Sequence, residues 1–348
     1  MEARARRDWA TADALKTQIE AAGWRVVDHG SRTSVSPAAP VTLVVDGEPR
    51  YGSSSSVPSL LDEPDAAAWT VVVIASEGPE RVSRLLAALR RHAPAGTRVV
   101  VVANDPSEAQ AAALAADAPD LAPIAGALPE VVRTSTRLGY ATALNIGLRR
   151  AVGEFVLISD ATAWPTSDAM TPLAAALRDP AVAAAGGFGL VAAEHGPLRP
   201  NELRRVEPTT RDAGATALEG AWLAFRRSDY RDLGPLDEHF VAPGWLDVWW
   251  TLRLRAGAEP EGAAYVEPEG DLDSGEVPAA DAPADDDSPD DSAEAAGPEV
   301  VMPAPRRAVR LELALDREEV VWPPDRSRLN RRNMYRVLDR FGWRVDLA

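Results

Sequence analysis

From Trp69 onward the sequence alternates short, unbroken apolar runs with amphipathic segments, and this ordering restricts what the chain can fold into more than any other feature. The run WTVVVIA at Trp69 is followed by a helical pattern over residues 80–92, a second run TRVVVVA at Thr97, and another helical stretch over residues 107–116. EVVRT then reads as a short strand, residues 140–151 as a helix, and residues 154–159 as a strand that stops at Asp160. Apolar runs without polar alternation belong to strands covered on both faces, and strands that alternate with helices belong to largely parallel sheets. A Rossmann-like, three-layer α/β domain is therefore predicted. Its functional groups are expected beyond the C-terminal ends of the strands.

The 348 residues leave room for attachments around that domain. Residues 1–38 read as a small helical module, with Trp9, Ala12, Leu15 and Ile19 at helical spacing, a stop at Gly23, and apolar Trp24, Val26 and Val27 after it. Residues 39–68 are rich in Gly, Ser and Pro and read as a linker to the main domain at 69–266. Between positions 267 and 299 there are thirteen Asp or Glu and no Lys or Arg, which accounts for most of the formal charge of −16. Such a segment buries too little apolar area to offset chain entropy, so residues 267–305 are predicted to be an acidic, disordered insert. Residues 306–348 end in a basic stretch in which Leu329, Met334, Val337, Leu338 and Phe341 recur near helical spacing, and a helical segment packed on the core is predicted.

Composition narrows the chemistry. The chain has no cysteine, which removes disulfides, thiolate zinc sites and cysteine nucleophiles together, and its four histidines are too few and scattered for a histidine-rich metal centre. No run of 18 uncharged apolar residues occurs and the first ten residues lack an apolar leader, so no transmembrane segment and a soluble, cytoplasmic protein are expected. The acidic charge is confined to one stretch and the folded part is close to neutral, so charge leaves the question of nucleic acid open; no DNA partner is expected, and an RNA partner is not favoured. The P-loop and the dinucleotide fingerprint are both missing.

Three stretches carry a chemical pattern: VVRTSTRLGYATALNIGLRRAVGEFVLISDATAWP over residues 131–165, LEGAWLAFRR over 218–227 followed by GPLDEHF, and GWLDVWWTLRLRAGA over 244–258. In this order and spacing they resemble a family 2 glycosyltransferase of GT-A type, over roughly residues 69–266. The small-residue positions Gly139, Ala143, Asn145, Gly147 and Gly153 match that family's helix leading into the strand that ends in a DxD motif. The resemblance implies transfer of a sugar from a nucleotide-sugar donor to a hydroxyl of a carbohydrate or other acceptor, with inversion, in a setting such as cell-envelope polysaccharide assembly. It places the catalytic base at Asp247. It places donor contacts at Ser76, Glu77, Asn104, Asp105, Arg133, Asn145, Asp160 and Thr162, and acceptor contacts at Gly220, Trp222 and Trp245. Processive relatives add membrane helices and a QxxRW motif, and neither is in this sequence, so a non-processive enzyme is expected.

The DxD position reads Asp160, Ala161, Thr162. In the family the second acid helps to hold a divalent cation (Mg or Mn) that the first acid, here Asp160, would share, and a neutral hydroxyl is a poor ligand for a hard cation. The lost acid, together with the lack of any His after His239, also motivates an alternative: a catalytically inactive relative that binds a nucleotide-sugar or a protein partner. Separately, ARRDWATADALKTQIEAAGWRVVDHG near the N-terminus resembles the C-terminal tail of cysteinyl-tRNA synthetases. The synthetase signatures are absent, so that resemblance implies a docking or stabilising appendage and no aminoacylation.

Overall fold

The computed structural model describes residues 9–21, 24–29, 32–37, 40–115, 121–192, 202–206, 213–258, 304–318, 326–342, 344 and 347. The acidic stretch at 267–299 lies outside the described residues. At the N-terminus, helix α1 (Trp9–Ala21) is followed by strands β1 (Trp24–His29) and β2 (Arg32–Pro37), which pair antiparallel as a sheet of their own.

The main body begins with a hairpin of β3 (Leu43–Val45) and β4 (Glu48–Tyr51). It continues through β5 (Ala67–Ala75), α2 (Pro79–His92), β6 (Thr97–Ala103), α3 (Glu108–Ala113), β7 (Glu130–Thr134), α4 (Tyr140–Leu148), β8 (Gly153–Ser159), β9 (Ala163–Pro165) and α5 (Met170–Leu177). Next come the strands β10 (Val182–Gly186), β11 (Gly189–Val191), β12 (Arg204–Arg205), β13 (Ala213–Ala215), β14 (Ala217–Leu218) and β15 (Leu223–Arg226), then α6 (Arg227–Leu233) and α7 (Leu246–Ala256). Beyond the acidic stretch the chain adds β16 (Arg307–Arg310), β17 (Leu315–Arg317) and α8 (Arg326–Phe341).

Ten strands form one sheet in the order β13-β16-β10-β15-β8-β5-β6-β7-β4-β3. The run β8, β5, β6, β7 and β4 is parallel, while β15 lies antiparallel between β8 and β10. Burial on both sides explains the unbroken apolar runs. Val71, Val73, Val99 and Val101 face Leu85, Leu86 and Leu89 of α2 and Leu173 of α5. Val72, Val100, Val102 and Ile158 face the other layer, built from α4, α6, α7 and the end of α8. Each such side chain, fully removed from water, contributes about 1.5–3 kcal/mol. The small-residue pattern of α4 has a packing cause, because a Cβ on Gly147 would stand 2.4 Å from Val72 Cγ1 and 2.9 Å from Val102 Cγ2. Helix and strand approach too closely there for any side chain.

Two expectations are corrected. Residues 39–68, read as a linker, instead lengthen the sheet, since β4 pairs in parallel with β7 and Ser135 N donates to Tyr51 O at 3.0 Å. Composition marks this stretch as loop, but a short extended segment needs no core of its own when a sheet edge offers backbone partners. Residues 306–348, read as helical, also supply β16, which enters the sheet between β13 and β10, and β17, which pairs with β9. The predicted helix is present as α8, with Val337 and Phe341 buried against the core.

Candidate active site

The parallel strands run from β5 outward to β6 and β7, then reverse to β8 on the other side of β5, and such a reversal opens a crevice beyond the strands' C-terminal ends. Asp160 follows β8 directly at that edge. Its Oδ1 accepts from Thr162 N at 2.8 Å and from Thr162 Oγ1 at 2.6 Å, across a left-handed Ala161 (φ 62°). The Thr162 hydroxyl therefore gives its proton to Asp160, and its residue is buried.

Asp247 approaches the same crevice from the first turn of α7. The turn into that helix uses two left-handed residues, Gly244 (φ 108°) and Trp245 (φ 65°), so Trp245 holds the cap position and Asp247 follows inside the helix. Gly220 N donates to Asp247 Oδ2 at 2.8 Å and Val248 N to Oδ1 at 2.9 Å. Burial pushes the carboxyl up from 3.8 to about 6, opposed by these two backbone donors and reinforced by the nearby Glu219 and Asp160 charges. The absence of a side chain on Gly220 permits the approach, because a Cβ there would be 3.3 Å from Asp247 Cβ.

Asp160, Asp247 and Gly220 line one cleft of about 660 Å³, counting the part open to solvent. Tyr140, Glu219, Arg205, Arg317 and Asn330 line it too, and the sequence reading singled out none of them. Burial, with the Asp160 and Asp247 charges adding to it, raises the Tyr140 phenol and keeps it neutral. Glu219 is buried and holds both arginines, with Arg205 Nε at 2.7 Å from Oε1 and Arg317 Nη2 at 2.6 Å from Oε2. Glu219 was within reach of sequence reasoning as the neighbour of Gly220. Arg317 was not, since only the pairing of β17 with β9 brings it here.

The other predicted contacts divide sharply. Glu77 and Asp105 are exposed at the ends of β5 and β6, Glu77 paired with Arg137 at 2.7 Å and Asp105 in a left-handed conformation (φ 48°). Ser76 Oγ donates to Asn104 O at 2.9 Å. Arg133 is half-buried and donates through Nη2 to Leu114 O at 3.0 Å. Three assignments are corrected. Asn104 is buried with its carboxamide bonded to Leu138, Oδ1 accepting from N at 2.8 Å and Nδ2 donating to O at 3.0 Å, so it fastens the loop before α4. Asn145 has no exposed surface; Oδ1 accepts from Tyr230 Oη and Leu236 N while Nδ2 donates to Leu236 O and Glu238 Oε1, which leaves nothing for a ligand. Trp222 is fully buried in the core, its bulk filling the layer under β5 and β6 instead of a sugar subsite. Trp245 packs half-buried on the opposite layer, and of the three acceptor candidates only Gly220 lines the cleft.

The residues present do not fit a resident divalent cation. Asp160 is the only carboxylate in its loop, the Thr162 hydroxyl is turned onto it, and among the described residues no three His, Cys, Asp or Glu side chains come close enough together to hold a metal ion. Among the described residues no helix is long and apolar enough to cross a membrane.

Residues 70–240 match the family described as Glycosyl transferase family 2. Just under half of the chain is thus similar to a glycosyltransferase family 2 domain. The family 2 match includes Asp160 and Gly220 and ends before Asp247. The large mixed sheet and this match bear out the expected GT-A class of α/β fold. Solved structures similar to the chain include GalNAc-T7 with UDP, GalNAc and Mn2+, at 17% identity over 56% of this chain and 41% of that one (TM-score 0.44). The mannosyltransferase PcManGT from Pyrobaculum calidifontis, with GDP-Man and Mn2+, is 26% identical over 58% of this chain and 55% of its own (TM-score 0.40). TarS of S. aureus is 16% identical over 54% and 55% (TM-score 0.39). The chain thus spans about half the length, or less, of the proteins it resembles. No curated protein sequence matches it.

Proposed function

We propose that the chain is a nucleotide-sugar-dependent glycosyltransferase, inverting and non-processive, that works in the cytoplasm with Asp247 as its base. The acceptor hydroxyl oxygen attacks the anomeric carbon, the bond from that carbon to the diphosphate oxygen breaks, and the electron pair leaves with the nucleoside diphosphate. The hydroxyl proton passes to the Asp247 carboxylate. The observation that carries this reading is the Asp247 carboxyl itself, fixed by two backbone N–H groups in the cleft that also holds Asp160, with its proton affinity raised to about 6. A base tuned close to the working pH is ionised when the acceptor arrives yet still basic enough to take its proton. The N-terminal turn of α7 adds a positive dipole that holds the carboxylate charged. The N-terminal helix and hairpin act as a docking appendage with no part in the chemistry.

The test is a panel of UDP- and GDP-sugars screened by thermal shift against the full chain, followed by turnover of the best donor in wild type and Asp247→Asn. Donor affinity is expected to survive the substitution while the rate falls by about 10²- to 10⁴-fold. Wild-type turnover in Asp247→Asn would remove the assignment, and donor binding without transfer or hydrolysis in either protein would identify an inactive binder.

A further inference from the structure

We propose that Arg317, anchored by Glu219, supplies the positive charge on the donor's diphosphate that a metal ion would otherwise supply, so that the enzyme binds its donor and releases the nucleoside diphosphate without a divalent cation. This rests on the function proposed above and assigns the leaving-group side of that site. The cleft presents three carboxylates, Asp160, Glu219 and Asp247, against two guanidinium groups, Arg205 and Arg317. A diphosphate entering it carries at least two further negative charges and needs a cation. The loop that would hold a metal offers one carboxylate, already accepting two hydrogen bonds from Thr162.

At that same loop the fold delivers an arginine. Strand β17 pairs antiparallel with β9 so that Arg317 lies opposite Ala163, and Glu318 N donates to Thr162 O at 2.8 Å. The backbone of Arg317 is thereby held beside the Asp160 turn, by the pairing of its strand with β9 and by the bond from the residue that follows it. Its face lies over the Phe188 ring, 4.4 Å from the centroid, and Nη2 bonds Glu219 Oε2 at 2.6 Å, which fixes its direction before a donor arrives. A guanidinium carries five N–H donors in a planar fork suited to phosphate oxygens, so one anchored nitrogen leaves the fork's geometry available to a diphosphate. Arg205 shares the same glutamate, but its side chain is 70% exposed where that of Arg317 is 28% exposed, and solvent screening weakens it correspondingly. As the bond to the anomeric carbon breaks, the developing charge on the departing phosphate oxygen falls to Arg317, while the acceptor's proton goes to Asp247.

Titration calorimetry of the full chain with UDP and with GDP, each in EDTA and again with Mn2+, tests this. One of the two nucleotides is expected to bind in EDTA, with Mn2+ changing its affinity less than about threefold, and Arg317→Met is expected to weaken it by about 10- to 100-fold, the range for a hydrogen bond to a charged group. Arg205→Met should weaken it less. If Arg317→Met lowers the melting temperature, Arg317→Lys decides, since it keeps the charge beside Glu219 and removes only the fork; a several-fold loss is expected. Binding that appears only with Mn2+, or unchanged affinity in both Arg317 variants, overturns the proposal and leaves the glycosyltransferase reading intact. Absence of binding by either nucleotide in both conditions removes the donor site, and this inference with it.

Discussion

The two halves of the central sheet are made in different ways. Strands β8, β5, β6 and β7 come from one continuous stretch, follow one another through single helices, and consist almost wholly of Val, Ile, Leu and Ala on their inner positions. Strands β15, β10, β16 and β13 are gathered from separated segments, with β16 supplied by chain that follows the long acidic stretch. The local half provides a rigid edge that ends in Asp160. The gathered half brings Asp247, Glu219 and Arg317 to that edge from α7, the turn before β15, and β17. On the function proposed above, the residues that would act are separated in sequence, while those that only support them are neighbours. Loss of Asp247 or Arg317 should therefore harm function more than fold, and loss of a packing residue the reverse.

Trp222 gives the strongest challenge to that division. It precedes β15 beside the cleft residue Gly220, yet its ring lies in the core with Val71, Val101 and Leu173. Trp222→Ala is expected to cost about 3–5 kcal/mol of stability, the usual range for a buried Trp, in a chemical denaturation series. The KM for acceptor, measured on the folded fraction, should stay unchanged. A raised acceptor KM with normal stability would return Trp222 to the acceptor site and blur the comparison.

The same division explains what the sequence could disclose. Period and run length carry β5 to β8 and their helices, because both faces are buried and each helix covers its own strands, and the position of Asp160 at a strand end follows from that alone. Nothing local marks β16 or β17, whose short strands exist because a sheet edge and the Asp160 loop offer backbone partners. Arg317 was hidden for that reason. Asn104 and Asn145 misled in the opposite direction. Their positions match a ligand-binding pattern, but buried carboxamides are pinned by the groups around them, and four protein hydrogen bonds on Asn145 decide its role more firmly than its place in a motif.

The proton affinity of Asp247 sharpens the comparison at its meeting point. If Asp247 is the base it must be ionised to act, so turnover is expected to rise with pH and level off above about 6, falling about tenfold per pH unit below that value. Stability should move the other way. The folded carboxyl holds its proton up to about 6 and the unfolded one only to 3.8, so the stability that this group contributes is complete below 3.8 and is lost as pH rises toward 6. In Asp247→Asn that dependence disappears, and the melting temperature of the variant relative to wild type should improve between pH 4 and pH 7. A relative melting temperature that is flat across this window would place the carboxyl in water and not in a buried cleft.

Asp105 offers the smallest and most discriminating effect, because it belongs to the local half yet stands exposed at the end of β6. Its backbone is left-handed (φ 48°), with its N–H donating to Thr134 Oγ1 at 3.1 Å, so a turn-forming role accounts for the residue without any ligand. Asn and Asp both tolerate that conformation, whereas Ala would add strain of its own, so Asp105→Asn isolates the charge from the turn. Stability is expected to stay within about 0.5 kcal/mol of wild type, as for an exposed substitution that keeps its backbone geometry. If the carboxylate accepts a hydrogen bond from the donor's nucleoside, the donor KM should rise several-fold with the maximal rate unchanged, since contact with a non-reacting part of the substrate is made equally in the ground and transition states. An unchanged KM would mean that the Asp105 carboxylate makes no contact with the donor and that its role is the turn alone.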